Sequence, residues 1–398
     1  MAVTVTTKEG WGSRLGGSIK GVLVGLGLLV AGFPVLFWNE GNSVKVAKAL
    51  DEGEGACIAV ESNATVDPEM EGKLVHMSGK ADTKDVLADD VFGISATAIR
   101  LERKVEMYQW CENEETHEKK NMGGSVTRTT TYTYEKKWCD DLIDSGKFKE
   151  SGHENPSAFE FPSAEQIASN VKFGAFRLNE RQVNRIGCAR EYAFPPGFTS
   201  KVDRVRLSGT TMYVPNADTR NNALNNRDVV GQPRIGDMRI VFKVTYPHEI
   251  SIVAKQHGDT FVGYTAKTGK KVDLLADGVE DAAEMFASAR ANNSFITWLL
   301  RLGGFLLMFI GISCILKPLS VLADVLPILG DIVELGMGLV AFVLALILSL
   351  VTIAVAWLFY RPVLAILLLV AAGGLVFWIV RSRRAKAAAA APLTPPVS

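Results

Sequence analysis

Long apolar runs lie at both ends of the chain, and a charged region separates them. A membrane-spanning helix needs about 20 mostly apolar residues. Stretches of this kind predict transmembrane helices at residues 18–38, 295–316, 335–360 and 362–380. A cleaved signal peptide is the alternative for the first stretch. Its apolar core is longer than such peptides carry, however, and the nearest A-x-A pattern, Ala47–Ala49, lies well beyond it. We therefore expect a retained anchor.

Small residues recur every four positions on two of these helices. They are Gly17, Gly21 and Gly25 on the first helix, and Ala341, Ala345 and Ser349 on the third. Such ladders allow membrane helices to pack closely, although a generally Gly-rich helix explains the first equally well. Arg301 lies near the start of the second span, and we expect its side chain to extend to the interface.

The basic residues that flank the spans predict the orientation of the chain. They are Lys8, Arg14 and Lys20 before the first span, Lys317 after the second, and Arg381, Arg383, Arg384 and Lys386 after the fourth. Because cytoplasmic ends carry the excess of Lys and Arg, four crossings place both termini in the cytoplasm. Residues 1–17 then form a cytoplasmic segment and residues 39–294 an extracytoplasmic domain. Arg290 and Arg361 lie on the side that the rule disfavours.

Residues 317–334 combine apolar positions at helical spacing with acidic residues and two breakers. The acidic residues are Asp324, Asp331 and Glu334, and the breakers are Pro327 and Gly330. This pattern predicts a broken amphipathic segment at the cytoplasmic interface, with the acidic side chains in solvent. A proton relay through Asp324 and Asp331 is the alternative. Residues 381–398 are basic, then rich in Ala and Pro, and we expect a disordered tail.

Strand patterns dominate residues 39–294. Met238–Thr245 predicts a strand, and Val105–Asp140 predicts a long hairpin. Helices are predicted near a capping-box pattern at Ser163 and Gln166, over Leu178–Ile186, and over Val279–Arg290. The similarity of Leu74–Gly79 to Val205–Gly209 is compatible with two β-modules or with chance. The expected fold class is a polytopic α-helical membrane protein of four transmembrane helices with a large β-rich α+β extramembrane domain.

Composition narrows the function classes. The chain has 43 basic and 43 acidic residues, 22% charged residues and 48% hydrophobic residues. These values exclude a simple soluble enzyme, a disordered chain and a fibrous one, and they offer no basis for nucleic-acid binding. HExxH, GxSxG and CxxC patterns are missing. We expect no catalytic, cofactor-binding or metal-binding residues, and we interpret His248-Glu249 as a surface pair.

The cysteines are compatible with an oxidising compartment. Cys314 lies in a predicted span, whereas Cys57, Cys111, Cys139 and Cys188 lie in the domain. Cys111 and Cys139 each follow a Trp at the two ends of the predicted hairpin. A disulfide between them and a pair of free buried thiols are equal alternatives.

Several longer motifs resemble a known family, transmembrane protein 43, also called LUMA. They are Asn39–Gly41, Glu71–Gly79, Leu101–Trp110, His153–Ala158, Gly236–Phe242 and Trp357–Pro362. Their order and spacing agree with that family along nearly the whole chain. The family includes bacterial members, and the Ala-rich basic tail suggests that this chain is one of them. The pair Cys111/Cys139 is not a feature of the family.

The resemblance implies a multi-spanning protein of the endoplasmic reticulum and inner nuclear membrane. In animal members it implies a lumenal domain, self-association, and partners such as emerin and lamins. A bacterial member would lie in the inner membrane with its domain in the periplasm, without those partners. The expected function is a non-enzymatic membrane scaffold that self-associates and organises membrane protein or lipid assemblies. A small-solute transporter or channel and a lipid-acting membrane enzyme are the alternatives.

Overall fold

The computed structural model of the protein describes residues 2–216, 228–325, 327–363 and 366–367. The chain forms two compact units, described here in turn. The β unit comprises Met1–Glu9, Ala49–Asn121 and Val126–Ala291, and the helical unit comprises Gly10–Lys48, Met122–Ser125 and Asn292–Ser398. Most of the predicted fourth span, residues 362–380, and the tail, residues 381–398, lie outside the described residues.

Long helices form the helical unit. In chain order, the helices are α1 (Trp11–Ala56), the short α2 (Glu180–Val183) of the β unit, α3 (Ala282–Ala323) and α4 (Pro327–Tyr360). Within the described residues, three segments are long and apolar enough to cross a membrane: Trp11–Ala56, Ala282–Ala323 and Ile332–Tyr360. These contain the first three predicted spans, so the described part of the chain supports three candidate spans and not four.

The segment predicted to be broken and amphipathic is helical over most of its length. Helix α3 continues past Pro318 to Ala323, and α4 begins at Pro327. A proline is well tolerated in the first turn of a helix, where its missing N–H has no partner to lose. The break predicted at Pro327 therefore falls at the start of α4.

The β unit contains short and long strands. In chain order they are β1 (Ala2–Glu9), β2 (Ile58–Ala59), β3 (Leu74–Thr83), β4 (Val86–Asp89), β5 (Ile94–Thr97), β6 (Arg100–Lys120), β7 (Val126–Cys139), β8 (Ala164–Ile167), β9 (Val171–Phe173), β10 (Phe176–Arg177), β11 (Arg190–Glu191), β12 (Arg206–Ser208), β13 (Thr211–Val214), β14 (Met238–Thr245), β15 (His248–His257), β16 (Thr260–Val262), β17 (Tyr264–Thr265), β18 (Lys271–Val272) and β19 (Leu274–Asp277).

Two sheets carry most of these strands. The first has the order β1-β7-β6-β14-β13-β12, with β8 paired to β6 and β11 paired to β14. The second has the order β10-β9-β3-β15-β16, with β19 paired to β15 and β2 paired to β3. The predicted hairpin is confirmed, because β6 and β7 pair from Met107↔Cys139 to Lys120↔Val126. The predicted strand Met238–Thr245 coincides with β14.

Each sheet buries its own apolar side chains. The core of the first sheet includes Phe92, Val105 and Phe242, and the core of the second includes Val75, Phe173 and Ile252. The two similar sequence segments occupy different positions: β3 is an inner strand of the second sheet, whereas β12 is an edge strand of the first. Their similarity therefore does not correspond to equivalent places in the fold.

The helix predicted near Ser163 and Gln166 is wrong, because this segment forms the strand β8 against β6. The Ser163 hydroxyl accepts a hydrogen bond from the Val105 amide at 3.1 Å. The Gln166 side chain bonds both backbone groups of Ala88. The side chains that suggested a cap therefore bond to other strands.

Of the other predicted helices, Leu178–Ile186 is reduced to α2, which begins with a capping box between Asn179 and Gln182. The predicted helix over Val279–Arg290 is confirmed as the first part of α3.

The pairing of the N-terminal strand bears on the predicted sidedness of the chain. β1 pairs with β7 over its whole length, from Ala2↔Thr133 to Glu9↔Val126. Paired strands lie on one side of a membrane, because an open sheet edge cannot lie in hydrocarbon. The predicted placement of residues 1–17 in the cytoplasm and of residues 39–294 on the opposite side requires β1 to leave this sheet in the membrane, and it stays a prediction.

Cysteines placed at the partners Val5 and Thr130 should form a disulfide in intact membranes. The two residues are directly opposite in the β1–β7 pair, where Cβ atoms lie about 4.5–5.5 Å apart. We expect the double variant Val5→Cys/Thr130→Cys to give the cross-linked peptide under mild oxidation, detected by mass spectrometry.

The matched control is Val3→Cys/Thr127→Cys, because Val3 is opposite Tyr132 and Thr127 is opposite Lys8. Five residues out of register separate the pair by roughly 17 Å, so this variant should not cross-link. If neither variant cross-links in membranes, the N-terminus lies away from the sheet, as the predicted cytoplasmic placement requires.

Candidate functional site

A buried ion pair joins two of the long helices of the helical unit. Glu40 of α1 is fully buried, and its carboxylate accepts two hydrogen bonds from Arg301 of α3, at 2.6 Å from Nε and 2.9 Å from Nη2. The indole N–H of Trp357 on α4 donates to the same carboxylate at 2.8 Å. All three helices therefore contribute to one polar site.

Aromatic rings cover the cation of this pair. The Arg301 guanidinium lies 4.7 Å from the ring centroid of Trp298 and 5.9 Å from that of Trp357. Its side chain is only 14% exposed. The expectation that Arg301 extends to the interface is wrong, because a carboxylate on α1 supplies the partner that the apolar surroundings cannot.

Further polar contacts lie beside the ion pair. The Asn39 amide donates to the backbone carbonyl of Thr297 at 3.0 Å, and the Thr297 hydroxyl donates to the hydroxyl of Ser43 at 2.8 Å. Residues 39, 40 and 43 fall on one face of α1, as do 297 and 301 on α3, because positions three or four apart share a helix face. Helical spacing thus aligns these polar groups between α1 and α3.

Glycine allows a tyrosine to lie against α1 next to this site. A Cβ atom added at Gly41 would come within 2.5 Å of the Tyr360 ring. Phe37 also packs on the ring of Tyr360, with centroids 5.4 Å apart. The motifs Asn39–Gly41 and Trp357–Pro362, far apart in sequence, therefore meet in the helical unit.

The close approach of α1 and α3 uses glycines seven residues apart. A Cβ at Gly25 would lie 2.6 Å from the Gly311 carbonyl, and a Cβ at Gly32 would lie 2.6 Å from Met308. A Cβ at Gly304 would likewise meet Leu36 at 2.4 Å. The sequence reasoning missed this pattern because it sought glycines four apart.

Only some residues of the two predicted small-residue ladders pack against neighbouring residues of the helical unit. Ala341, Ala345 and Ser349 of α4 are buried, and both alanines belong to the apolar core of the helical unit. Of the first ladder, only Gly25 is in close contact. Nothing lies within 4 Å of a Cβ added at Gly17 or Gly21.

A second ion pair lies at another place in the helical unit. The Asp324 side chain is only 1% exposed and accepts from Arg14 Nη2 at 2.5 Å, while Arg14 Nη1 donates to the Gly124 carbonyl at 2.7 Å. The indole N–H of Trp11 donates to the carbonyl of Val321 at 2.9 Å. The expectation that Asp324 is a solvated interfacial residue is wrong, because Arg14 neutralises it in a buried position.

The other predicted interfacial acids differ from Asp324. Glu334 is exposed and lies with Lys317 at the edge of a cavity of about 330 Å³. Asp331 lies in α4, but its side chain is outside the described part of the chain. The solvated interpretation of these two residues stays a prediction.

Cys111 and Cys139 lie close together as thiols. Their Sγ atoms are 3.4 Å apart, whereas a disulfide bond is about 2.05 Å long. Burial raises the pKa of the Cys111 thiol to about 12, and the hydrogen bond with Cys139 adds to this effect. The disulfide between them stays a prediction.

One cluster in the β unit has the donor types that could hold a metal ion. Cys188, His248 and Asp277 each offer a ligand atom, and these atoms lie within 4.8 Å of one another. His248 Nε2 lies 2.9 Å from a carboxylate oxygen of Asp277. The interpretation of His248-Glu249 as a simple surface pair therefore fails for His248, which is part of a polar cluster.

These features define an integral membrane protein with apolar helices tied by buried polar contacts and a large β-rich domain. The family model described as transmembrane protein 43 matches residues 107–362. The chain is 34% identical over 380 residues to transmembrane protein 43 of Homo sapiens, covering 92% of this chain and 91% of the relative. It is 32% identical over 374 residues to the transmembrane protein 43 homolog of Drosophila melanogaster, with 90% and 94% covered. No solved structure matches. The chain belongs to the transmembrane protein 43 family.

Loss of one charge from the buried pair should destabilise the helical unit strongly. Glu40→Gln removes the charge that neutralises Arg301 and leaves a buried cation unpaired, which costs about 3–5 kcal/mol of unfolding free energy. The double variant Glu40→Gln/Arg301→Gln should recover part of this loss, because neither charge remains. Unfolding in mixed micelles, followed by circular dichroism, measures both values.

The matched control is Glu54→Gln in the β unit. Glu54 also accepts two hydrogen bonds from one arginine, Arg290, but the two side chains are 39% and 36% exposed. Solvent screens such a pair, so the control should lose much less stability. Equal losses at Glu40 and Glu54 would contradict the structural role of the buried pair.

Proposed function

We propose that the chain is a non-enzymatic membrane scaffold that self-associates and organises membrane protein or lipid assemblies through its β-rich domain. Its partners would be membrane lipid, further copies of the chain and other membrane proteins, without nucleic acid. Emerin and lamins would be partners only in an animal member. The support comes from the surface of the hairpin formed by β6 and β7.

The burial pattern of β6 changes along the strand, and this observation carries the proposal. From Leu101 to Cys111 every second side chain is buried, as expected for a strand with one face on a core. From Asn113 to Lys119 every side chain is exposed. We call Asn113–Lys119 the outer ribbon. A strand exposed on both faces adds little to the core of its own unit and offers a surface to a partner.

The polar groups of the helical unit favour a scaffold over a transporter. A transport path needs polar side chains that a solute or ion can reach. Arg301 and Trp357 instead bond to Glu40, and the carboxylate is fully buried. Such an arrangement fixes helix packing.

Self-association needs a helix surface that the unit does not use internally. Gly25, Ala341 and Ala345 are occupied by contacts within the helical unit. Gly17 and Gly21 have open space at their Cβ positions. Since small residues allow close helix approach, this face of α1 is the one we propose for contact with a second copy.

The proposed compartment depends on the host cell. In a eukaryote we propose the endoplasmic reticulum and inner nuclear membrane, with the β unit in the lumen. In a bacterium we propose the inner membrane, with the β unit in the periplasm. Membership of the transmembrane protein 43 family and the apolar helices support an integral membrane location.

Bulk at the open face of α1 should disrupt self-association. We expect wild-type protein to cross-link as a dimer or larger oligomer in native membranes, and Gly17→Leu/Gly21→Leu to give mainly monomer. A Cβ added at either position has nothing within 4 Å. Gly27→Leu is the matched control, because Gly27 is also open but lies roughly 120° around the helix from Gly21. Recovery of only monomers from wild-type membranes would remove the self-association part of the proposal.

Charge reversal on the outer ribbon should weaken partner binding. Glu114→Lys/Glu115→Lys changes two exposed carboxylates without touching the core. Affinity purification in mild detergent, with protein and lipid identification, should show partners of wild-type protein that this variant loses. Glu61→Lys/Glu69→Lys makes the same charge change at exposed positions elsewhere in the β unit and should retain them. Loss of the same partners from both variants would indicate a general charge effect and contradict a specific role of the ribbon.

A further inference from the structure

The cluster of Cys188, His248 and Asp277 combines three elements of the β unit. His248 begins β15, and Asp277 ends the neighbouring strand β19, paired with β15 at Ile250. Cys188 lies in the loop between α2 and β11. Residues distant in sequence thus place a thiol, an imidazole and a carboxylate within 4.8 Å of one another.

The contacts of His248 define which ring nitrogen faces the Asp277 carboxylate. Nδ1 lies 2.8 Å from the backbone carbonyl oxygen of Tyr246. Because a carbonyl only accepts, Nδ1 carries the proton in this contact. In the neutral ring, Nε2 therefore has a lone pair, and this nitrogen lies 2.9 Å from Asp277 Oδ1. Either a proton on Nε2 or a metal ion beside both atoms would satisfy this contact.

The hydrogen bond from Nδ1 of His248 to a backbone carbonyl is also typical of a histidine that binds a metal through its other nitrogen. A histidine that ligates a metal usually donates its other ring N–H to a backbone carbonyl or a carboxylate, which fixes the ring. The Asp277 carboxylate is also held in place, because Oδ1 accepts from the Gly187 amide at 3.0 Å. A Cβ at Gly187 would come within 2.6 Å of Asp277 Oδ2, so this glycine gives the carboxylate room.

The backbone at Cys188 is an independent observation. Cys188 has φ of 56°, and among the described residues it is the one non-glycine residue with positive φ. This conformation is uncommon for residues with a Cβ, and such strain concentrates at functional sites. Here it lies next to Gly187 and presents an exposed thiol at the cluster. A simple His–Asp ion pair would not require a cysteine in this conformation.

We propose that Cys188, His248 and Asp277 bind a transition-metal ion, with Zn²⁺ as the best match. Zn²⁺ favours thiolate, imidazole and carboxylate ligands at about 2.0–2.3 Å, which places tetrahedral ligand atoms roughly 3.3–3.8 Å apart. The three ligand atoms lie at most 4.8 Å apart, about 1 Å above that range, and His248 Nε2 and Asp277 Oδ1 lie 2.9 Å apart, slightly below it. A cavity of about 380 Å³ adjoins the three residues, so water can take the fourth position.

A cysteine-dependent hydrolase is the competing interpretation of the same three residues. In such enzymes a histidine nitrogen must be available to accept the thiol proton. Here one nitrogen of His248 faces the Tyr246 carbonyl and the other faces Asp277. Neither nitrogen is directed to the thiol alone, so the geometry favours metal binding over nucleophilic catalysis.

Cobalt and zinc titration of the purified full-length protein tests the site. Chelator-treated protein in mild detergent should bind one Co²⁺ per chain, with a tetrahedral visible spectrum and a near-ultraviolet charge-transfer band that requires a thiolate. Added Zn²⁺ should displace the cobalt. Cys188→Ser should abolish the charge-transfer band, and Asp277→Asn should weaken metal affinity at least tenfold, with circular dichroism reporting that each variant is folded.

Two controls separate this site from other donors. His257→Gln removes a histidine from an exposed His–Glu pair with Glu71 and should leave the spectrum unchanged. Cys111→Ser removes a thiol from the pair with Cys139 and should also have no effect. Absence of metal binding by wild type, or a band that survives both Cys188→Ser and Asp277→Asn, overturns the proposal. The site stands apart from the scaffold function, because metal binding is measured on the isolated chain.

Discussion

The contact between Glu40 and Arg301 is the constraint on which the helical unit depends. A charge buried among apolar side chains is costly unless an opposite charge and hydrogen bonds compensate it. Arg301 meets the carboxylate through two hydrogen bonds, and Trp357 adds a third. A shift of one helix by a single turn, about 5.4 Å, would separate the groups. The pair therefore fixes the register of α1, α3 and α4 as well as contributing stability.

Glycine makes this arrangement sterically accessible. Gly25 and Gly32 on α1 face Gly311 and Met308 on α3, and a Cβ atom at either α1 glycine would collide with its neighbour. The backbones of the two helices can therefore approach closely, and side chains of ordinary length meet between them. The seven-residue spacing matches two helical turns, so the glycines recur on the face that also carries Glu40.

Local patterns predicted much of the fold, whereas long-range partners were not accessible from the sequence. The strand pattern of Met238–Thr245 predicted β14, and the apolar runs predicted the cores of the long helices. The ion pair of Arg301 with Glu40 could not be predicted, because the two residues are 261 positions apart in the sequence. The helix predicted from Ser163 and Gln166 was wrong for a related reason, because both side chains bond to other strands.

The candidate site shows the same division. Scanning for metal motifs with short spacing could not find Cys188, His248 and Asp277, because the sheet and not the local sequence brings them together. The positive φ of Cys188 leaves no sequence signal either, since the residue is not a glycine. The pairing of β1 with β7 is likewise invisible to the rule of flanking charges, which considers only residues near the spans.

Several motifs that carry the family resemblance contact one another in the fold. Leu101–Trp110 and Gly236–Phe242 are neighbours in the first sheet, with Met107 opposite Met238. Asn155 of the His153–Ala158 motif bonds both backbone groups of Trp110. The motifs therefore connect strands of this chain that are distant in sequence, but a fold does not by itself specify a function. The outer ribbon and the Cys188 cluster lie outside all of these motifs, so the functions proposed for those two surfaces rest on the contacts of this chain and not on the family resemblance.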